Sequence, residues 1–246
     1  MYHFTSVLQT YNIDATDGEM GKIKDIYIDD NDWKIRYAIV DTRKWLPERK
    51  VLLLPSIFIG VNPENESMEV EYDKSTIKNS PPVPEGTDLT RDKENQLFKY
   101  FGWTRYWSDD VILSGEKRPL GRVGSNEEEW YERMEDPLYD ADEGELRRHH
   151  RDNNLRSHEE IMNSRAHGKN GKLGKVVDFI YDDDWKVKYI VLTSNNVMTN
   201  DYYPYPIERI TSVDWFEGDV YLDETVEQFA NKTNYPSNED ILKALQ

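Results

Sequence analysis

Around residues 33–39 apolar and basic side chains alternate: Trp33, Ile35, Tyr37 and Ile39 stand against Lys34 and Arg36. Period two with aromatic and β-branched residues predicts a half-buried strand. The same beat returns later, with Trp185, Val187, Tyr189 and Val191 against Lys186 and Lys188. In both places an acidic run comes first, at residues 29–32 and 182–184. Asp and Asn suit tight turns, so each run is read as the turn of a hairpin. The first strand of each hairpin covers residues 23–28 or 176–181. Ile23 and Ile28 are an odd number of residues apart and cannot share one face of an unbroken strand. A bulge between them restores the phase. Asp25 and Asp178 sit at that point in the two stretches, where a carboxylate can bond local backbone. A catalytic role for either needs an acid–base partner, and the sequence offers no obvious one.

Setting Gly21 on Gly174 aligns "GKIKDIYIDDNDWKIRYAIVD" with "GKVVDFIYDDDWKVKYIVLT" once one residue near Asn31 is skipped. About half the aligned positions are identical, which points to an internal duplication. Both copies continue alike. "VLLLPSIFIGV", residues 51–61, reads as two strands with a turn at Pro55, and it is too short to span a bilayer. A hairpin follows near residues 62–67, or at Glu217 and Gly218. Then come a last strand, 68–72 or 220–222, and a short helix from about Lys74 or Glu224. Five or six short strands in roughly 75 residues is the pattern of a small closed or partly closed barrel.

Between the copies, "NSPPVPEG" stops the first one. A helix is expected over 90–101, with Leu97, Tyr100 and Phe101 at helical spacing and Gly102 placed to end it. Tyr100, Trp103, Tyr106 and Trp107 make an aromatic cluster with two readings: packing on its own barrel, or a surface for a partner. Residues 114–154 are charged and aperiodic, as in a mobile linker, with one weak helix near 127–134. The resulting organisation is a first barrel at 1–84, a helix, aromatic segment and charged linker at 85–154, and a second barrel with a C-terminal helix at 155–246.

Composition narrows the chemistry. A net charge of −17 repels phosphate and anionic lipid, so nucleic acid and membrane insertion are not expected, while basic partner surfaces are favoured. Seven Trp and 16 Tyr argue for packed structure rather than a disordered acidic chain. With no Cys, thiol nucleophiles, disulfides and Cys-ligated zinc drop out, which fits a reducing cytosol. "MYHFTSVLQT" has no basic region followed by an apolar run, so no signal peptide is read there. His149, His150, His158 and His167 lie in polar sequence expected to be flexible, without an i, i+4 pair, and no metal site is assigned. The acidic turns lack the central Gly and terminal Glu of a calcium loop, and there is no phosphate-binding Gly loop or G-x-S-x-G. No catalytic residue and no cofactor are assigned.

The stretch "ATDGEMGKIKDIYIDDNDWKIRYAIVDTRKWLPERKVLLLP" resembles the PRC-barrel family, named for the cytoplasmic domain of the photosynthetic reaction-centre H subunit. Tyr100, Gly102, Trp103, Tyr106 and Trp107, followed by Leu155, Arg156 and Ser157, resemble the aromatic segment and lead-in of tandem PRC-barrel proteins from bacteria. The resemblance implies a mainly β chain of two SH3-like antiparallel β-barrels with short helices and a flexible connector. It also implies a general role in protein–protein assembly; with no catalytic motif and no signal peptide read, the expectation is a non-catalytic cytoplasmic interaction module with an unidentified protein partner. The markers shared by the copies are Asp25, Trp33 and Tyr37 against Asp178, Trp185 and Tyr189. Two alternatives stay open: a soluble accessory factor of a membrane or reaction-centre complex, and an enzyme using surface carboxylates. Homo-oligomerisation stays open as well.

Overall fold

The bulge expected in the first hairpin forms. In the computed structural model, which describes residues 1–62, 65–84, 89–106, 154–194 and 201–245, Ile23 faces Val40 but Asp25 faces Ile39. Ile23 is buried before the shift and Ile26 and Ile28 after it, so the apolar face is kept across the odd spacing. The later hairpin does the same between Val176 and Asp178, which face Leu192 and Val191.

The chain divides into two compact units, Met1–Asp88 with Asn154–Gln246, and Leu89–Asn153. The first unit begins with strand β1 (Tyr2–Phe4) and a helical turn, α1 (Thr5–Leu8). Then come β2 (Asn12–Ala15), β3 (Gly18–Asp29), β4 (Lys34–Asp41), β5 (Arg49–Leu53), β6 (Phe58–Asn62), β7 (Ser67–Val70), α2 (Lys74–Asn79) and β8 (Val83–Pro84). The described part of the second unit holds α3 (Arg91–Phe101). The first unit resumes with β9 (Leu155–Ser157), α4 (His158–Ile161), β10 (Arg165–Gly168), β11 (Gly171–Asp182) and β12 (Val187–Ser194). It ends with β13 (Tyr202–Pro206), β14 (Ile210–Asp214), β15 (Asp219–Leu222), α5 (Val226–Ala230) and α6 (Asn238–Leu245). The protein is thus mainly β, with two sheets and several short helices. One sheet runs β6-β7-β2-β3-β4-β5-β8 and the other β14-β15-β10-β11-β12-β13, so six strands of each follow the same order of connection.

Close backbone approach explains the glycine used to align the two stretches. A Cβ on Gly21 would lie 2.0 Å from the carbonyl oxygen of Asp41, and one on Gly174 would lie 1.9 Å from that of Thr193. Both distances are far inside van der Waals contact, so only glycine lets the neighbouring strand through.

The turns correct one expectation. Trp33 and Trp185 do not begin the following strands. Both lie in the turn with left-handed backbone, φ 58° and 62°. The Trp33 amide donates to the carbonyl of Asp29 at 2.8 Å, four residues back, and that of Trp185 to Asp182 at 2.9 Å, three back. The one-residue difference is the residue skipped in the alignment. This conformation is costly for a bulky residue, and cross-bonding holds it. Ile35 N–H donates to the Trp185 carbonyl and Val187 N–H to that of Trp33, each at 2.8 Å. The two hairpin tips are stitched together. The Trp33 ring lies 6.2 Å from that of Trp215, and the Trp185 ring stacks on Phe58 at 5.8 Å and on Tyr181 at 5.3 Å.

The leading segments are exchanged. β1 pairs antiparallel with β11 of the later sheet, Phe4 facing Ile180. β9 pairs antiparallel with β3 of the earlier sheet, Ser157 facing Tyr27. The spacing in sequence that separates Gly21 from Gly174 also separates Phe4 from Ser157 and Tyr27 from Ile180, so the two exchanges are equivalent in register. Phe4 is buried with Ile180, Val191 and Ile241, and Tyr2, Tyr189 and Leu242 pack around them. Tyr37 and Tyr189 therefore differ: Tyr37 is 0% exposed in its core, whereas Tyr189 is half-buried with Tyr2 edge-on at 5.8 Å.

Candidate functional site

The bulge places Asp25 and Asp178 beneath the exchanged helical turns. Both carboxylates bond the local backbone: Ile26 N–H donates to Asp25 Oδ1 and Phe179 N–H to Asp178 Oδ1, each at 2.8 Å. They also reach across the exchange. The residue before α1, Phe4, has no side chain that can cap the turn. Asp178 supplies the cap, its Oδ1 accepting from Ser6 N–H at 3.1 Å and Thr5 Oγ–H at 2.7 Å, its Oδ2 from the Ser6 hydroxyl. On the other side α4 carries its own capping box, Ser157 with Glu160. There Asp25 accepts from Ser157 Oγ–H at 2.5 Å and Glu159 N–H at 3.3 Å.

The two turns meet where Thr5 and His158 hold equivalent positions. Thr5 Oγ lies 2.9 Å from His158 Nε2, and Phe179 N–H approaches the same oxygen at 3.3 Å. His158 is 3% exposed, with the Phe179 ring edge-on at 5.4 Å and the Gln9 amide nitrogen 3.5 Å from Nδ1. Burial pushes the His158 imidazole below its ordinary value, against the opposing pull of Asp178, Asp25 and Glu159. Chemically the cluster fastens the two sheets through charge-assisted hydrogen bonds.

His158 and His167 are corrected from flexible sequence to ordered structure. His167 lies on β10, stacks on Tyr221 at 5.3 Å and meets Asp219 at 2.9 Å, where Arg165 also binds. Arg165 and His167 hold the Asp219 carboxyl below the usual range. Among the described residues no group of three or more His, Cys, Asp or Glu converges as a metal site. Asp29, Asp30, Asp32 and Asp182 of the acidic turns pair with cations of the chain itself: Asp29 and Asp32 with Arg36, Asp30 with Arg156, and Asp182 with Lys188.

The aromatic segment follows α3, which Thr90 caps at 3.4 Å and Gly102 ends with φ 70°. Phe101 and Trp103 stack at 4.4 Å, and Phe98 meets Trp103 and Tyr106 edge-on. Tyr106 O–H donates to buried Glu94 at 2.6 Å, and its burial and that carboxylate push the phenol up. Tyr100 is 41% exposed and lies edge-on to Phe101. Trp107, His149, His150, the weak helix and all but the end of the linker lie outside the described residues.

What the sequence reading missed is the set Thr5, Ser6, Ser157 and His158. A usable signal existed: extending the Gly21–Gly174 alignment toward the N-terminus sets Thr5 on His158 ahead of the same bulge.

Among the described residues no helix is long and apolar enough to cross a membrane. A comparison with curated proteins finds no match to this chain. Compared with protein-family models, residues 11–77 match the PRC-barrel domain. Strands β2 to β7, running into α2, therefore form a PRC-barrel domain.

Proposed function

We propose that the protein is a non-catalytic interaction module made of two PRC-type, SH3-like barrels, the second formed by β10 to β15 and α5. The second assignment rests on the shared strand order and on the matching bulges at Asp25 and Asp178. The observation that carries the function is at the edge of the PRC-barrel domain. Among the described residues strand β6 ends its sheet, and its Ile59 and Val61 stand 63% and 56% exposed. An edge strand with exposed apolar side chains is a template for another chain. The −17 net charge steers basic protein surfaces toward it in the cytosol. Tyr100, Trp103, Tyr106 and Trp107 remain a second candidate surface, in which Tyr100 is the most exposed described member.

The test is affinity capture from the native cell with the wild-type chain and with Ile59→Lys/Val61→Lys, read by mass spectrometry. Proteins retained by the wild type and lost from a variant with unchanged circular dichroism support the reading. Identical captures from both remove β6 from it. If the wild-type capture consists of subunits of a membrane or reaction-centre complex, the accessory-factor reading takes over.

A further inference from the structure

The joint between the exchanged segments contains a titratable group in a buried position that disfavours charge. Thr5 has one hydroxyl proton, and the Asp178 carboxylate 2.7 Å away takes it. Thr5 Oγ must then accept from His158 Nε2 at 2.9 Å, just as it accepts from Phe179 N–H. His158 therefore carries a proton on Nε2, and burial favours the neutral ring with Nδ1 bare. Its bare Nδ1 faces an amide nitrogen of Gln9, itself a donor, at 3.5 Å. A second proton on Nδ1 would displace the Gln9 N–H from its present acceptor and bury a cation with its ring against Phe179. The charged groups facing the ring are Asp178 from β11, Asp25 from β3 and Glu159 from its own helical turn. All three carboxylates favour the cation, but those of Asp178 and Asp25 already accept hydrogen bonds from other groups. Asp178 is bonded to Thr5, Ser6 and Phe179, Asp25 to Ser157, Glu159 N–H and Ile26, and no contact links any of the three directly to Nδ1.

We propose that His158 is an acid-sensitive latch: protonation of Nδ1 loosens the Thr5–His158 contact and frees the exchanged segments β1–α1 and β9–α4 from the sheets they close. The sign follows from burial. The closed joint holds the imidazole below its ordinary value, so between that depressed value and about 6.5 the open joint binds more protons. The latch is fully closed above the ordinary histidine range and weakens as pH falls through it. If the closed joint rejects the proton entirely, its opening constant rises up to about tenfold between about pH 7.5 and about pH 5.5.

The experiment is amide hydrogen exchange on the full-length chain at both pH values, corrected for intrinsic exchange. The Ser6 and Glu159 amides, which bond Asp178 and Asp25 across the joint, report its opening. Their protection is expected to fall up to tenfold at the lower pH, while core amides such as Ile39 stay unchanged. His158→Gln, which keeps a donor and cannot titrate, is expected to flatten that dependence, and His167→Gln to leave it intact. Should His158→Gln fold poorly, the wild-type imidazole decides by NMR titration. A His158 ring titrating at or above about 6.5, or equal protection at both pH values, overturns the proposal.

Discussion

Replacing Asp178 with alanine removes the one side chain that caps α1 and pins the β11 bulge together. In the native protein its oxygens accept from Thr5 Oγ–H, Ser6 N–H, the Ser6 hydroxyl and Phe179 N–H. Alanine leaves Ser6 N–H without an acceptor. Phe179 N–H keeps only the 3.3 Å contact to Thr5 Oγ. Thr5, fully buried, loses the acceptor for its proton. Each buried group left unsatisfied costs about 1–3 kcal/mol, so two to three of them, partly relaxed, sum to about 3–5 kcal/mol. That is a large share of the roughly 5–15 kcal/mol stability of an ordinary domain. Asn at the same position keeps Oδ1 for Thr5, Ser6 N–H and Phe179, and the Ser6 hydroxyl can turn to accept from the new amide. Asp178→Asn should cost only about 1–2 kcal/mol. Asp25→Ala, with a self-capped turn above it, should fall between the two. Equilibrium urea unfolding of the full-length chain measures all three. The reasoning fails if Asp178→Ala costs less than about 1 kcal/mol, or no more than Asp178→Asn.

A protease site inserted between residues 107 and 153 should give two fragments that still co-elute, because β1 on β11 and β9 on β3 hold them together; fragments that separate without denaturant would contradict the exchange. Gly21→Ala and Gly174→Ala should each destabilise by about 2–3 kcal/mol, since the new Cβ overlaps the neighbouring strand's carbonyl, and thermal melts check both. Tyr37→Phe should be mild, but Tyr37→Ala should cost about 3–5 kcal/mol because that ring is fully buried. Trp33→Ala should cost less than Tyr37→Ala in the same melts, since the indole is only half-buried and alanine inherits the left-handed turn.

The sequence by itself determined what is local. The period-two strands, the bulge demanded by Ile23 and Ile28, the helix closed by Thr90 and Gly102, and the turn at Pro55 all form because neighbouring residues carry the instruction. The pairing of Gly21 with Gly174 was legible for the same reason, as both satisfy one steric need in similar backbone. Tertiary structure alone decided the partners. β1 and β9 have three residues each, too few for a pattern that selects one sheet edge over another. The registers of Phe4 on Ile180 and Ser157 on Tyr27 are equivalent, so either segment could in principle close either sheet. Where each one docks depends on chain reach and on side chains brought from afar: the missing cap of α1, met by Asp178, and the open place beside Thr5, filled by His158. A histidine in a polar stretch reads as solvated because its own neighbours are charged; here it is buried because a segment from the opposite end of the chain covers it.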